Sequence, residues 1–271
     1  MDKNTKKNIN KKKIIWLVAL VAAICIFAFS AFKLINIYLE YQKGKDAYEE
    51  IDSMFTEETD TTETGSNPDT TQGETTLTAE TAVPWVWDFA KAQSINPDIK
   101  GWIKMGNTIS YPILQTTDNE YYLTHTVYRK KNSSGAIFID YSITEGLDAK
   151  NCIIYGHDMI NNSMFGSLDN YMKESYYKKH PAFEVYIGDR HYTYEIFAVY
   201  VTPEVSDTYM YGFPSDEYFK TYLDTSRSKS LYATGCRELT ASDRIITLST
   251  CTDKDAERLI VQMVRSNEIT E

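Results

Sequence analysis

A mainly β domain with accessory helices, arranged as a barrel or a sandwich, is the architecture that this 271-residue sequence predicts. Three observations predict it. Seven short runs rich in β-branched and aromatic residues fall at 109–114, 135–140, 151–156, 183–187, 191–200, 244–250 and 258–264, most of them separated by turn residues. Among these runs one helical pattern intervenes, at 216–233 (DEYFKTYLDTSRSKSLYA), with Tyr218, Phe219, Tyr222 and Leu223 at helical spacing. Strands do not alternate with helices as a βαβ fold requires. The composition, 42% hydrophobic, 24% charged and 13% aromatic, belongs to a chain with a buried core rather than a collagen-like, disulfide-dense or wholly disordered one.

The net charge of −10 averages three unlike regions. Residues 1–45 hold nine Lys and two acids, residues 46–90 hold twelve acids and no Lys or Arg, and the rest sums to −5. No basic face survives that balance, which argues against nucleic acid as a partner. Residues 14–32 (IIWLVALVAAICIFAFSAF) carry no charge, and a helix of that length spans about 30 Å of hydrocarbon. Six Lys precede it and three follow. The positive-inside bias therefore puts residues 1–13 in the cytoplasm and the rest of the chain outside, as a single-pass protein of the cell membrane. A cleaved signal peptide is the competing reading. The apolar run is long for one and no clear A-x-A site follows, which favours a retained anchor.

Residues 33–81 are expected to form an extracellular stalk. From about Asp52 it becomes an acidic, Thr-rich linker with almost nothing apolar to bury, which predicts a solvated, self-repelling spacer. The globular domain is then expected over 82–271, with no core contributed by the first 81 residues. It opens with a helix starting after Pro84, whose packing face would carry Trp85, Trp87 and Phe89, and a turn at Asn96-Pro97.

Cysteine usage points toward chemistry. Cys25 lies in the apolar run, leaving Cys152, Cys236 and Cys251 outside it, so either one pair is bridged or all three are free. Cys152 opens an apolar strand and reads as a small buried hydrophobe. Cys236 sits in a turn with no assignable role. Cys251 stands where the run 244–250 stops and the acidic loop TDKDAE begins. The next strand starts at Arg258, so the loop returns the chain to the same sheet end. His157 has the same context, following NCIIYG, a strand broken by Gly156. Singly, an exposed His beside Gly is a turn residue and an Arg opening a strand a solvated charge. Jointly they supply a thiolate nucleophile, a proton-transferring imidazole and a guanidinium for a developing oxyanion.

The stretch TLSTC (247–251), with Arg258 soon after, resembles the signature of sortases, in particular of the class B branch. NCIIYGHDM (151–159) followed by SMFGSL (163–168) is similar to the family's histidine segment. So are YPILQTTDNEYYLTH (111–125) and GAIFIDY (135–141). The resemblance runs from about residue 84 to residue 264. It implies a closed β-barrel of about eight strands, N-terminal helices and a helix in the late strand connection. By motif, it implies Cys251 as nucleophile, His157 as general acid/base and Arg258 as the oxyanion or substrate-positioning group. Ser249 and the Thr250 backbone would lie beside the nucleophile, Asn119, Leu123 and Tyr209 along the substrate groove, and Asp253 would orient a catalytic partner.

The implied reaction is transpeptidation. Cys251 attacks the Thr carbonyl of a C-terminal sorting motif in a secreted protein, and the thioester passes to an amine of a peptidoglycan precursor or of a pilin lysine. No metal or organic cofactor is implied. A Cys-based phosphatase fits poorly, because six residues rather than five separate Cys251 from Arg258, and three of them are acidic. A non-catalytic, membrane-tethered module that binds the cell wall leaves the placement of Cys251, His157 and Arg258 unexplained.

Overall fold

The computed structural model describes residues 11–56, 85–251 and 257–269, with the side chains of Lys11, Lys12 and Cys251 outside that description. Two compact units divide the chain, Met1–Lys43 and Gly44–Glu271. Helix α1 (Lys11–Ser53) contains the whole apolar run, and its side chains there are exposed. Among the described residues it is the one helix long and apolar enough to cross a membrane.

The second unit is built on a closed barrel. After helix α2 (Phe89–Ile95) come β1 (Ile99–Met105), β2 (Ile109–Leu114), β3 (Ile137–Ile139) and β4 (Asn151–His157). Then follow the one-turn helix α3 (Glu174–Tyr177), β5 (Ala182–Ile187), β6 (Arg190–Pro203), α4 (Asp216–Ser228), β7 (Ile245–Cys251) and β8 (Glu257–Ile269). Their spatial order is β1-β2-β3-β4-β7-β8-β6-β5, with β5 closing on β1. Six neighbours pair antiparallel; β2–β3 and β4–β7 are parallel. Closure removes every sheet edge. All seven strands expected from the sequence are present. The eighth, β1, lay inside the stretch read as helix and turn. Its burial does not alternate cleanly, because Ile99, Trp102, Ile103 and Met105 are all buried.

A buried polar network fixes the register where the parallel and antiparallel pairings meet. The Thr247 hydroxyl donates to Asn151 Oδ1 at 2.7 Å, and Gln262 Nε2 donates to Thr247 Oγ1 at 3.0 Å. Tyr222, from α4, accepts from Asn151 at 3.1 Å and from Gln262 at 2.8 Å, and donates to the Thr208 carbonyl at 2.7 Å. Helix α4 is capped by Ser215, whose hydroxyl accepts from the Tyr218 amide. It lays Phe219, Tyr222 and Leu223 against Phe197, Ile245 and Ile260. It ends at Ser228, five residues before the expected Ala233, and its last turn is closed by the Lys229 amide.

The second compact unit begins at Gly44, ahead of the domain start expected at residue 82. Tyr48, Ile51 and Phe55 are buried in the second unit. Phe55 packs within 6 Å (ring centroids) of Trp85, Trp87 and Trp102, and Asp52 accepts from Trp85 Nε1 at 2.9 Å and from Ser110 Oγ at 2.6 Å. The helix expected after Pro84 begins only at Phe89, capped by Asp88, so Trp85 and Trp87 lie in extended chain rather than on a helical face. Residues 57–84, which hold most of the expected linker, lie outside the described residues. Their flanks meet: Thr56 bridges Trp85, and the Val86 amide donates to the Phe55 carbonyl at 2.6 Å. The chain therefore reaches the second unit before this segment begins.

A fragment starting at Gly44 is expected to fold, whereas one starting at residue 82 loses three buried side chains. At ~1.5–3 kcal/mol each the deficit is of the order of 5 kcal/mol, a large part of a typical domain's stability. Denaturant titration of the two fragments checks this; equal midpoints would mean that residues 44–56 rest on the barrel without holding it.

A second expectation concerns acid. Asp148 accepts from Arg190 at 2.9 Å and Arg265 at 3.0 Å. Partial burial pushes its pKa up, but these guanidinium bonds outweigh it and hold the carboxyl below its ordinary range. A depressed carboxylate contributes stability that is complete above the unfolded-state value, about 3.9, and lost as pH falls through the folded one. Asp148→Asn should therefore flatten the loss of stability below about pH 4. Identical acid limbs for the variant and the parent would remove Asp148 from that balance.

Candidate active site

The parallel pairing of β4 with β7 runs in unbroken register from Asn151↔Ile245 to His157↔Cys251. Neighbouring strands lie ~4.8 Å apart, so the last residues of these two stand side by side. On the other side of β7, Ser249 opposes Ile260 of β8. Counting two residues further brings Cys251 level with Arg258. Arg258 also opposes Thr202 of β6. His157, Cys251 and Arg258 thus occupy adjacent ends of three consecutive strands. His157 is the last residue of β4, one residue beyond the expected strand end at Gly156. The glycine answers a steric demand instead: a Cβ there would stand 2.6 Å from the Phe165 ring.

Each described side chain is held in a definite direction. His157 Nε2 lies 2.7 Å from the Leu123 carbonyl oxygen. A carbonyl only accepts, so Nε2 carries a proton, and Nδ1 is the nitrogen that can exchange one. The Arg258 side chain is 12% exposed; its guanidinium donates to the Glu257 carbonyl at 3.1 Å and pairs with Glu204 at 3.3 Å. Glu204 is 66% exposed, so screening keeps the pair's energetic worth small, yet it fixes the plane of the fork.

The other residues singled out from the sequence divide by what occupies them. Ser249 is buried, and its hydroxyl lies 3.0 Å from that of Tyr209. Thr250 is buried and spends its hydroxyl accepting from the Leu259 amide at 3.1 Å, zipping β7 to β8. Leu123 contributes a carbonyl to His157 as well as a half-buried side chain. Asn119 is clamped: its amide donates to Asp140 Oδ2 at 3.0 Å and accepts from the Tyr141 backbone at 2.9 Å. Asp253, and the side chain of Cys251, lie outside the described residues.

Three residues here escaped the sequence reading. Tyr155 donates to Asp140 at 3.0 Å and stacks on Tyr209 with ring centroids 6.2 Å apart. Burial pushes the Asp140 carboxyl up, but bonds from Ser142, Asn119 and Tyr155 prevail and hold it below its ordinary range. Tyr155 had a signal, since it precedes His157 by two and shares its side of the strand. Glu204 had none, because it and Arg258 are far apart in sequence.

The thiols separate by environment. Cys25, Cys152 and Cys236 are free. Cys152 is fully buried, which pushes its thiol far up; partial burial raises Cys236 to about 11. Neither offers a thiolate at neutral pH. Among the described residues no group of three His, Cys, Asp or Glu could hold a metal ion.

The comparisons with known proteins converge. A family model for the sortase domain matches residues 104–266. Sortase B of Listeria monocytogenes is 42% identical over 176 residues, covering 63% of this chain and 70% of its own length. Sortase B of Staphylococcus aureus is 29% identical over 247 residues, 91% of this chain and 93% of its own. The crystal structure of Bacillus anthracis sortase B in complex with AAEK1 superposes with a TM-score of 0.68 at 30% identity, covering 85% of this chain and 99% of that one. A substrate complex of S. aureus sortase B gives a TM-score of 0.62 at 33% identity, over 66% of this chain and 84% of that one. With the closed eight-stranded barrel and the strand-end residues in hand, these matches make the chain a member of the sortase family of transpeptidases, in its class B branch.

Proposed function

We propose that this protein is a membrane-anchored cysteine transpeptidase that cleaves a C-terminal sorting motif after Thr and transfers the acyl group to an amine of a peptidoglycan precursor. The observation that carries the proposal is the register that sets His157 level with Cys251. The long apolar stretch of α1 supports a single-pass anchor, and the Lys excess before it supports a cytoplasmic N-terminus and an extracellular barrel.

In the proposed reaction the Cys251 thiolate attacks the Thr carbonyl carbon, and the carbonyl pair moves onto oxygen. Arg258 meets that negative charge with directed N–H groups. Collapse expels the downstream fragment as an amine, protonated from His157 Nδ1, and leaves a thioester on Cys251. The acceptor amine then adds to the thioester carbonyl and gives its proton to the same nitrogen. The second tetrahedral intermediate expels the thiolate as the new amide forms. With Nε2 committed to Leu123, one nitrogen serves both halves. Ser249, Tyr209, Leu123 and Asn119 line the approach, and Asp253 remains a proposed orienting residue. A pilin lysine as acceptor is the same chemistry with a different amine.

Cys251→Ala is expected to abolish both cleavage of a quenched sorting peptide and its transfer to an amine, at nearly unchanged stability. Cys152→Ala should cost about 1 kcal/mol from the small cavity it leaves and spare the chemistry. Iodoacetamide at pH 7 should label Cys251 and neither Cys152 nor Cys236, as mass spectrometry of the folded protein would read. Appreciable turnover by Cys251→Ala would sink the proposal.

Arg258→Lys separates two roles. A point charge can still attract a thiolate but cannot reproduce a planar pair of donors. The acylation rate should fall by about two orders of magnitude, while the alkylation rate of Cys251 stays near normal. A parallel fall in both would make Arg258 a thiolate tuner, and near-normal acylation would remove it from the site.

A further inference from the structure

His157 is held at two points, and both lead back to one tyrosine of helix α1. The first point is its ring. Nε2 donates to the Leu123 carbonyl, an acceptor left over at the end of the short 3₁₀ turn Tyr121–Leu123. Gly135 backs that carbonyl closely: with φ at +57°, an added Cβ would stand 2.7 Å from the Leu123 oxygen and 2.5 Å from that of Tyr122. The Gly135 carbonyl in turn accepts from the Tyr48 hydroxyl at 2.6 Å.

The second point is its backbone. The His157 carbonyl accepts from the Phe165 amide at 2.9 Å. The residue before, Met164, sits at a left-handed φ of +52° and bridges Asp158. Its amide donates to the Tyr111 hydroxyl at 3.0 Å, and the Tyr111 ring meets the Tyr48 ring edge-on with centroids 5.3 Å apart. Burial pushes both phenols up, so they remain neutral hydrogen-bonding groups over the working pH range.

We infer that Tyr48 is a positioning residue for His157. It braces the carbonyl that fixes the imidazole tautomer and the turn that fixes the imidazole's backbone. The inference rests on the reading of His157 as the proton-transfer group, and it makes the last turns of α1 part of the apparatus for transfer. A buried tyrosine also fills space, and a space-filling role predicts lost stability with no change in how His157 titrates.

The test uses the full-length chain in nanodiscs. Tyr48→Phe keeps the ring and removes the hydroxyl. Tyr194→Phe is the control: Tyr194 is equally buried, but its hydroxyl accepts from Arg265 at 2.8 Å toward the other end of β6. The His157 ring is titrated by NMR without substrate, and kcat and KM are measured with a quenched sorting peptide. Tyr48→Phe is expected to move the His157 midpoint by about half a pH unit and to lower kcat about tenfold with KM within about twofold. Tyr194→Phe should lose stability and move neither. Gly135→Ala, which displaces the Leu123 carbonyl directly, should reproduce the Tyr48→Phe shift. An unmoved His157 midpoint in Tyr48→Phe, or an equal shift in Tyr194→Phe, would overturn the inference. Failure of the parent protein to cleave any peptide would count against the transfer reaction instead, with the titration still deciding the place of Tyr48.

Discussion

Everything at the site depends on the register between β4 and β7. Successive residues of a strand face opposite sides, so a slip of one residue would carry His157 to the wrong face and leave Cys251 beside Gly156. Hydrophobic pattern alone guards this register weakly, because NCIIYG and IITLS are nearly continuous apolar runs that offer several equivalent pairings. The buried hydrogen bonds of Asn151, Thr247, Gln262 and Tyr222 resolve the ambiguity. In any other register these groups would be buried without partners, at roughly 1–3 kcal/mol each. Tyr222 belongs to α4, so the late helix is a lock on the strands that present the site. A parallel pair also needs a long crossover, and here it contains β5, β6 and α4. The site forms only when the second half of the domain has closed onto the first.

At the other strand pairings an aromatic cluster does similar work. Phe55, Trp85 and Trp87 pack on Trp102 of β1, which Tyr186 of β5 opposes; the Trp102 indole donates to Ser110 at 3.0 Å, and Ser110 donates to Asp52. Lys104 places its ammonium 3.6 Å from the Trp85 ring centre. Segments from both sides of residues 57–84 thereby cover the outside of β1. That covering explains why β1 is buried on both faces and why its sequence lacks strand alternation.

The barrel was legible because its strands are short, β-branched and punctuated, and the three strand-end residues were legible because each stands at the edge of such a run. The rest was hidden for separate reasons. Residues 46–90 were read through their twelve acids and absent cations, a composition that signals a solvated spacer. Yet Tyr48, Ile51 and Phe55 are spaced three and four apart, the stripe of an amphipathic helix. That stripe carried the better information, and the charge average hid it. Trp85 and Trp87 were rightly read as packing residues but on the wrong element, because the helix cap is Asp88 rather than Pro84. The bonds of Asn119 to Asp140 and Tyr141 join two loops, a tertiary fact that no local pattern encodes. The Leu123 carbonyl, the direct support of His157, is a backbone atom and leaves no trace in residue type.

The proposed chemistry explains why such support is worth building. A transpeptidase must protonate one amine as it leaves and deprotonate another as it arrives, so its imidazole has to pass through both charge states without turning. A ring free to flip would present Nε2 in one half-reaction and Nδ1 in the other. Tying Nε2–H to a carbonyl removes that freedom in both states, since imidazole and imidazolium alike donate from Nε2, the imidazolium more strongly. Arg258 faces the complementary demand. Its charge never changes, so its only variable is direction, and the bonds to the Glu257 carbonyl and Glu204 constrain that direction from two sides. Glu204 stands in the chain just after β6 and Leu123 just before the loop that leads to β3. The two groups proposed to act on either side of the thioester are therefore aimed in part by segments outside the strands that carry them, Leu123 for His157 and Glu204 for Arg258.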